Sequence, residues 1–170
     1  PEVAASTEDL LAEIRDLLER KEIKYLAEMM NYPGVVNDDK EVLEKIAIAK
    51  SLEKPVDGHA PGLGGEALRK YIAAGIQTDH ECSTLEEALE KISLGMKVII
   101  REGSAGRNLD ALKDLYRTHP SMIMLGSDDI HPEMLMKRHL DKIISGLIRD
   151  GYNLFDVIGS ATLNPVLHYR

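Results

Sequence analysis

Two apolar stretches decide the fold, residues 97–101 (KVIIR) and residues 122–127 (MIMLGS). Both are short, and both consist mainly of Ile, Val, Met and Leu with no alternation between apolar and polar positions. Strands that are buried on both faces carry such continuous apolar runs, and this is typical of parallel sheets covered by helices. The two stretches therefore predict parallel strands joined by a helical crossover.

The same order of strand, loop and helix repeats along the chain. Five consecutive βα units imply a parallel sheet with helical connections. Residues 31–34 (NYPG) are expected to break the pattern after the first strand. The predicted strands cover residues 23–28, 55–59, 75–80, 97–101 and 122–127, and the predicted helices cover residues 38–50, 65–73, 84–93, 108–118 and 132–149.

The whole chain, residues 1–170, is expected to form one domain. It would comprise a leading helix within residues 1–22, five βα units within 23–150, and a terminal helix and tail within 151–170. Ser6 or Thr7 is the expected cap of the leading helix. A flat doubly wound domain and part of a (β/α)8 barrel both fit this order of elements.

Polar residues at the strand ends favour the barrel. Four of the predicted strands end in a residue that can bind a metal: Glu28, His59, His80 and Asp128. Taken singly, each has a plainer interpretation, such as a solvated strand end, a turn or a helix cap. Together they lie at one end of the sheet, where barrel enzymes build their active sites. Imidazole and carboxylate groups suit Zn, Fe or Mn better than Ca or Mg.

Composition and hydropathy argue against nucleic acid and membranes as partners. A formal net charge of −8 with no lysine-rich run argues against nucleic acid, because nucleic-acid-binding surfaces are usually basic. No apolar stretch approaches the roughly 20 residues of a membrane span, and residues 1–9 lack the features of a signal peptide. The single cysteine, Cys82, cannot form an intrachain disulfide, so we expect a cytoplasmic protein.

Several of these segments resemble, in order, the motifs of microbial adenine deaminases of the amidohydrolase superfamily. The resemblance runs from about Leu26 to the end of the chain. The matching segments are residues 28–35 (EMMNYPGV), 56–62 (VDGHAPG), 78–81 (TDHE), 103–109 (GSAGRNL), 127–132 (SDDIHP) and 161–165 (ATLNP).

The resemblance implies a partial (β/α)8 barrel that corresponds to strands 4–8 of the complete one. Glu28 would be the bridging carboxylate, His59 and His80 the histidine ligands, and Asp128 the strand 8 aspartate. The implied metal is Mn or Fe, with Zn as an alternative, in a binuclear centre of the complete enzyme. The implied reaction is hydrolytic deamination of adenine to hypoxanthine and ammonia.

The resemblance also implies roles in the chemistry. Asp128 would bind metal and move the proton of the attacking water. Glu81 is a second candidate for proton transfer, but successive strand side chains alternate faces, so it points inward only if its strand has already ended.

Two loops are expected to reach the purine. The candidates there are Ser104, Arg107, Asp129 and His131. For three of them another role is open: Arg107 could only anchor its loop, Asp129 could cap a helix, and His131 could support Asp128.

The sequence departs from the superfamily at its first ligands. Amidohydrolases carry a His-x-His pair on strand 1, and this sequence contains none. We therefore expect a fragment that lacks strands 1–3, is inactive without that N-terminal half of the barrel, and leaves a sheet edge open to pairing, including homo-oligomer formation. The alternatives are another amidohydrolase, such as a cytosine deaminase-like or deacetylase-like enzyme, and a non-catalytic module that binds metal or a protein.

Overall fold

Within residues 6–170, the part of the chain that this computed structural model describes, five parallel strands form the centre and helices cover them. The first five residues of the predicted leading segment lie outside the described residues. The strands follow one another in chain order with helical connections, and the chain folds as part of a (β/α)8 barrel, as predicted. They are Leu26–Met29 (β1), Val56–Gly58 (β2), Thr78–Asp79 (β3), Lys97–Arg101 (β4) and Ile123–Gly126 (β5).

The helices lie between and after these strands. They are Thr7–Leu18 (α1), Tyr32–Val36 (α2), Lys40–Ser51 (α3), Gly65–Ala74 (α4), Leu85–Ser93 (α5), Leu109–Leu112 (α6), Leu115–Thr118 (α7), Pro132–Leu135 (α8), Leu140–Arg149 (α9), Leu154–Ala161 (α10) and Leu163–Tyr169 (α11). A short 3-10 turn, Pro120–Met122, precedes β5.

The predicted continuous sheet is divided into two ladders, β1–β2 and β3–β4–β5. β2 and β3 still lie side by side, because the amide of Gln77 donates to the carbonyl of Val56 at 3.0 Å. One step further on, the Gly58 amide donates to the Thr78 hydroxyl at 3.2 Å instead of to a backbone carbonyl. A side chain therefore replaces the next backbone bond and ends the ladder.

The predicted strands 23–28 and 75–80 are shorter in the structure, at Leu26–Met29 and Thr78–Asp79, and four other predicted segments also differ. Residues 31–34 begin helix α2 instead of a loop, because the Asn31 side chain accepts from the Gly34 amide at 3.0 Å and caps it. The predicted helix 108–118 forms two short helices, α6 and α7. The predicted helix 132–149 breaks over residues 136–139, where Met136 is 91% exposed and has no core to pack against. The predicted tail forms α11, since Pro165 stands in a first turn, where proline is tolerated.

The apolar core consists of two clusters on the outer side of the strands. The first gathers around β2 and includes Ile46, Val56 and Leu68. The second gathers around β4 and β5 and includes Val98 and Ile123. The inner side of β4 is only half-buried, because it faces the cavity of the partial barrel. No helix in residues 6–170 is long and apolar enough to cross a membrane.

Candidate metal centre

The structure brings Glu28, His59 and His80 together at the carboxyl ends of β1, β2 and β3. The His80 Nε2 atom lies 2.9 Å from Glu28 Oε2. The His59 Nδ1 atom lies 3.4 Å from the same oxygen and 3.4 Å from His80 Nε2. Three ligand-type atoms from three strands therefore form one compact triangle, which we call the metal triangle.

These separations fit a single transition-metal ion. With metal–ligand bonds of about 2.1 Å, neighbouring ligand atoms around one ion lie roughly 3.0 to 3.4 Å apart. The three edges, at 2.9, 3.4 and 3.4 Å, are close to this spacing. Two imidazole nitrogens and one carboxylate oxygen are also a donor set that Zn, Mn and Fe accept. The described residues thus fit a divalent metal, which would meet His59 at Nδ1 and His80 at Nε2.

Buried polar contacts hold the strand ends that carry the triangle. The Tyr71 hydroxyl donates to the Met29 carbonyl at 2.9 Å and accepts from the His59 amide at 3.0 Å, so it ties the end of β1 to the end of β2. Burial raises the pKa of Tyr71, which therefore stays a neutral donor. A Cβ on Gly58 would stand 2.3 Å from the Thr78 carbonyl, so only glycine allows this approach of β2 to β3.

Glu81 and Asp128 lie beside the triangle. The Glu81 Oε1 atom is 3.4 Å from both ring nitrogens, His59 Nδ1 and His80 Nε2. Glu81 points inward because β3 has already ended at Asp79, which is the condition that the sequence analysis set. Asp128, Glu81 and His80 offer ligand atoms within 4.8 Å of one another. Asp128 thus belongs to a second group that shares His80 with the triangle.

Arg101, from the end of β4, joins the two carboxylates. Its guanidinium donates to Glu81 Oε2 at 2.8 Å and also pairs with Asp128 Oδ2. Sequence analysis had not assigned this bridging role to Arg101. The signal available was an arginine at the end of a buried strand.

Asp128 has an unusual backbone conformation. Its φ of 55° lies in the left-handed region, which aspartate tolerates better than most residues. In that conformation its Oδ1 atom accepts from the Asp129 amide at 2.7 Å. Partial burial acts to raise the pKa of Asp128, but this hydrogen bond and the Arg101 guanidinium outweigh it and hold the pKa below its usual range. Asp128 is therefore ionised at neutral pH.

The loops after β4 and β5 are joined to each other. The Ser104 amide donates to the Asp129 carbonyl at 2.8 Å, and the Ser104 hydroxyl accepts from the His131 amide at 2.8 Å. Arg107 donates from Nε to the Gly103 carbonyl at 2.9 Å and is about half exposed. All four predicted substrate-binding residues thus contribute to this pair of loops, and their contact with a substrate stays a prediction.

A cavity of about 330 Å³ opens next to the triangle, inside the partial barrel. Asp57 lines it and accepts from the Tyr169 hydroxyl at 2.8 Å and from the Thr78 hydroxyl at 2.8 Å. Burial raises the pKa of Asp57. Sequence analysis missed the Tyr169 contact, because it joins positions 112 residues apart. The cavity is lined by Tyr25, Ala27, Glu28, Asp57, His80, Ile99, Arg101, Gly126 and Asp128.

Comparison with known proteins identifies the family. The model of the amidohydrolase family matches residues 2–170. The chain belongs to the amidohydrolase family. The family implies a divalent metal, and the metal triangle is a candidate site for it.

Individual relatives bear the name adenine deaminase. The protein of Sulfurovum sp. is 54% identical over 157 residues, which is 92% of this chain and 30% of the relative. That of Parabacteroides distasonis is 50% identical over 154 residues, 91% of this chain and 28% of the relative. That of Methanosarcina barkeri is 49% identical over 154 residues, 90% of this chain and 28% of the relative. The chain thus spans less than a third of the length of these relatives.

Proposed function

We propose that this chain is part of a metal-dependent adenine deaminase, which hydrolyses adenine to hypoxanthine and ammonia. The observation that carries the proposal is the metal triangle, whose edges of 2.9 to 3.4 Å suit one divalent ion. The relatives that bear the name adenine deaminase support adenine as the substrate. A cytosine deaminase-like or deacetylase-like activity, or a module without chemistry, has no comparable support.

The residues of the triangle would hold the metal, with Asp128 as a further ligand. A divalent metal in such a site supplies Lewis-acid activation of water. Glu28, His59 and His80 would hold the ion beside the cavity, which Glu28 and His80 line. The metal identity that we propose is Mn or Fe, with Zn as the alternative, in a binuclear centre that the complete enzyme would form.

Two carboxylates are placed to move protons. Asp128 is ionised at neutral pH and can accept the proton of the attacking water, then deliver it to the purine ring or to the leaving amine. Glu81 stands 3.4 Å from both imidazoles and is the second candidate. Arg101 keeps these two carboxylates beside each other through one guanidinium.

The cavity is suited to a flat heterocycle. Its volume of about 330 Å³ falls at the lower end of the range of small-molecule pockets. Tyr25 and Ile99 offer apolar surface, while Asp57 and Asp128 offer polar atoms. We propose that Ser104, Arg107, Asp129 and His131 complete the purine site from the two joined loops.

We propose further that the remaining ligands come from a preceding barrel half that is not among these 170 residues. We use the name complete barrel for the longer protein that contains both that half and this chain. The chain would then be inactive alone, and β1 would pair with a strand of the missing half. We also propose that residues 6–170 act as one domain, that the protein works in the cytoplasm, where the thiol of Cys82 stays reduced, and that it can form a homo-oligomer.

The deciding experiment combines metal analysis with an adenine-to-hypoxanthine assay. Both would be run on this chain and on the complete barrel, each loaded in turn with Mn, Fe and Zn. We expect bound metal and turnover in the complete barrel and no turnover in the chain alone. Absence of adenine turnover from both would overturn the proposal, and turnover of cytosine or of an N-acetylated substrate instead would favour the corresponding relative.

A further inference from the structure

We propose that a buried ion pair, Asp79–Lys91, positions the metal triangle by holding the backbone beside both of its histidines. The inference rests on the proposed function, because it concerns the site that would bind the metal. It assigns a positioning role to two residues that touch neither metal nor substrate. Both side chains are completely buried.

The carboxylate of Asp79 connects the two loops that carry the histidines. Its Oδ1 atom accepts from the amide of Ala60, the residue that follows His59, at 2.7 Å. Its Oδ2 atom accepts from the amide of Glu81, the residue that follows His80, at 3.2 Å. One carboxylate therefore fixes the spacing of the loop after β2 and the loop after β3.

The ammonium of Lys91 completes this arrangement from helix α5. It donates to the Ala60 carbonyl at 2.7 Å, to Asp79 Oδ2 at 2.9 Å and to Glu87 Oε1 at 2.7 Å. A lysine ammonium has three donors, and here each has an acceptor. The peptide groups on both sides of Ala60 are thereby bound, and the residue next to His59 has no freedom to shift.

Helix α5 also holds the rest of the loop after β2. Glu87 Oε1 accepts from the Gly62 amide at 2.9 Å, and Glu90 Oε1 accepts from the Gly65 amide at 2.8 Å. With Lys91 these side chains contact the loop at three points. The glycine-rich segment that follows His59 is thus fastened to α5.

Fold stability alone does not account for an ion pair at this position. A buried ion pair is often no more stabilising than apolar residues of the same volume. Here its bonds converge on Ala60 and Glu81, each next to a histidine of the metal triangle. A metal site tolerates displacements of only about 0.5 Å before its geometry degrades. The pair supplies that accuracy without contacting the ion.

The test measures metal affinity in the variants Asp79→Asn, Lys91→Met and the double variant, all in the complete barrel and in this chain. Titration with Mn²⁺ gives the affinity, and Co²⁺ gives an absorption spectrum that reports coordination geometry. We expect the affinity of folded protein to fall about 10- to 100-fold, as for other residues that orient ligands, and the Co²⁺ spectrum to change. The double variant removes both charges, so it remains informative if Lys91→Met does not fold.

Tyr116→Phe is the matched control. It removes a buried hydrogen bond of 2.9 Å to Ser160, in the apolar cluster around β4 and β5. We expect it to lower the stability of the fold while the Mn²⁺ affinity and the Co²⁺ spectrum stay unchanged. This separates a positioning role from a general loss of stability.

The outcomes are distinguishable. Unchanged Mn²⁺ affinity and an unchanged Co²⁺ spectrum in folded Asp79→Asn and in the double variant would overturn the positioning role, while the unmutated protein still deaminates adenine. Loss of affinity in the Tyr116→Phe control as well would overturn it too. A complete barrel that binds neither Mn²⁺ nor Co²⁺ would instead overturn the proposed function, and the positioning role with it.

Discussion

Two groups of polar side chains with atoms that could bind a metal lie side by side around the end of β3. One is the metal triangle, Glu28, His59 and His80. The other, which we call the lysine cluster, consists of Asp79, Cys82, Glu87 and Lys91. The acidic and sulfur atoms of the lysine cluster also lie within 4.8 Å of one another, as metal ligands would.

The two groups differ in where their positive charge comes from. In the lysine cluster the ammonium of Lys91 already occupies the centre, and the site is closed to solvent. The metal triangle contains no lysine or arginine, and Glu28 is 41% exposed. A permanent charge from the chain makes a fixed support, whereas an open set of donors can take up an ion from solution. Similar residue types thus serve structure in one place and chemistry beside it.

The largest effect is expected from removing one of the proposed metal ligands. His59→Ala or Asp128→Ala in the complete barrel is expected to reduce adenine turnover on the order of 1000-fold or more, because the ion or its proton acceptor is lost. The fold should remain, as judged by circular dichroism and thermal unfolding. Turnover close to that of the unmutated protein would remove these residues from the mechanism.

The next largest effect is a loss of stability, expected when the lysine cluster loses its cation. Lys91→Met leaves the carboxylates of Asp79 and Glu87 buried without their partner, so the free energy of unfolding should fall by about 3–5 kcal/mol. Denaturant titration of the chain measures it. Adding Asp79→Asn should recover part of the loss, and a double variant no more stable than Lys91→Met would contradict the pairing.

The stability that the lysine cluster contributes should depend on pH, because its members are charged. Burial acts to raise the pKa of Glu87, but the contact with Lys91 outweighs burial and lowers this pKa. For Lys91 the signs are reversed: burial acts to lower its pKa, but the charge of Asp79 outweighs burial and raises it. An acid whose pKa is lowered by folding loses its contribution to stability as the pH falls. A base whose pKa is raised by folding loses its contribution as the pH rises. The stability difference between the unmutated chain and Lys91→Met should therefore be full between about pH 4.5 and 10.5 and shrink on both sides. Denaturant titrations from below pH 4.5 to above pH 10.5 test this, and a stability difference that stays constant outside the window would contradict it.

A smaller effect on turnover is expected from replacing Arg101, the cation that lies beside the metal triangle. Arg101→Met should slow adenine turnover about 10- to 100-fold, because Glu81 and Asp128 lose their shared partner. The Mn²⁺ affinity of the triangle should change much less than in His59→Ala. Steady-state kinetics beside metal titration checks both, and equal losses of affinity in the two variants would show that Arg101 serves the metal instead.

The smallest effect on turnover is expected from Arg107, in the loop after β4. Arg107 is half exposed and contacts the Gly103 carbonyl. Arg107→Ala is expected to raise the KM for adenine a few-fold, roughly 1 kcal/mol, if its guanidinium reaches the purine. An unchanged KM with a slightly less stable loop would assign Arg107 to anchoring alone.

The sequence alone determined the fold class and the end of the sheet at which the site lies. Continuous apolar runs such as residues 97–101 encode buried parallel strands, since covering helices leave no solvent-exposed face. Residues that follow such strands meet at one edge by topology alone. For that reason Glu28, His59 and His80 could be grouped without coordinates.

Only the tertiary structure decided which atoms meet and which charges are neutralised. The bond from Lys91 to Asp79 joins side chains 12 residues apart, and the bond from Tyr169 to Asp57 joins residues that are 112 apart. Local spacing carries little information about such contacts, because they depend on how helices pack over the sheet. A partial signal existed for Lys91, which falls on the same stripe of α5 as the buried Ala88 and Ile92. Its acceptors, however, lie on other elements, and only the packing of α5 against the ends of β2 and β3 selects them.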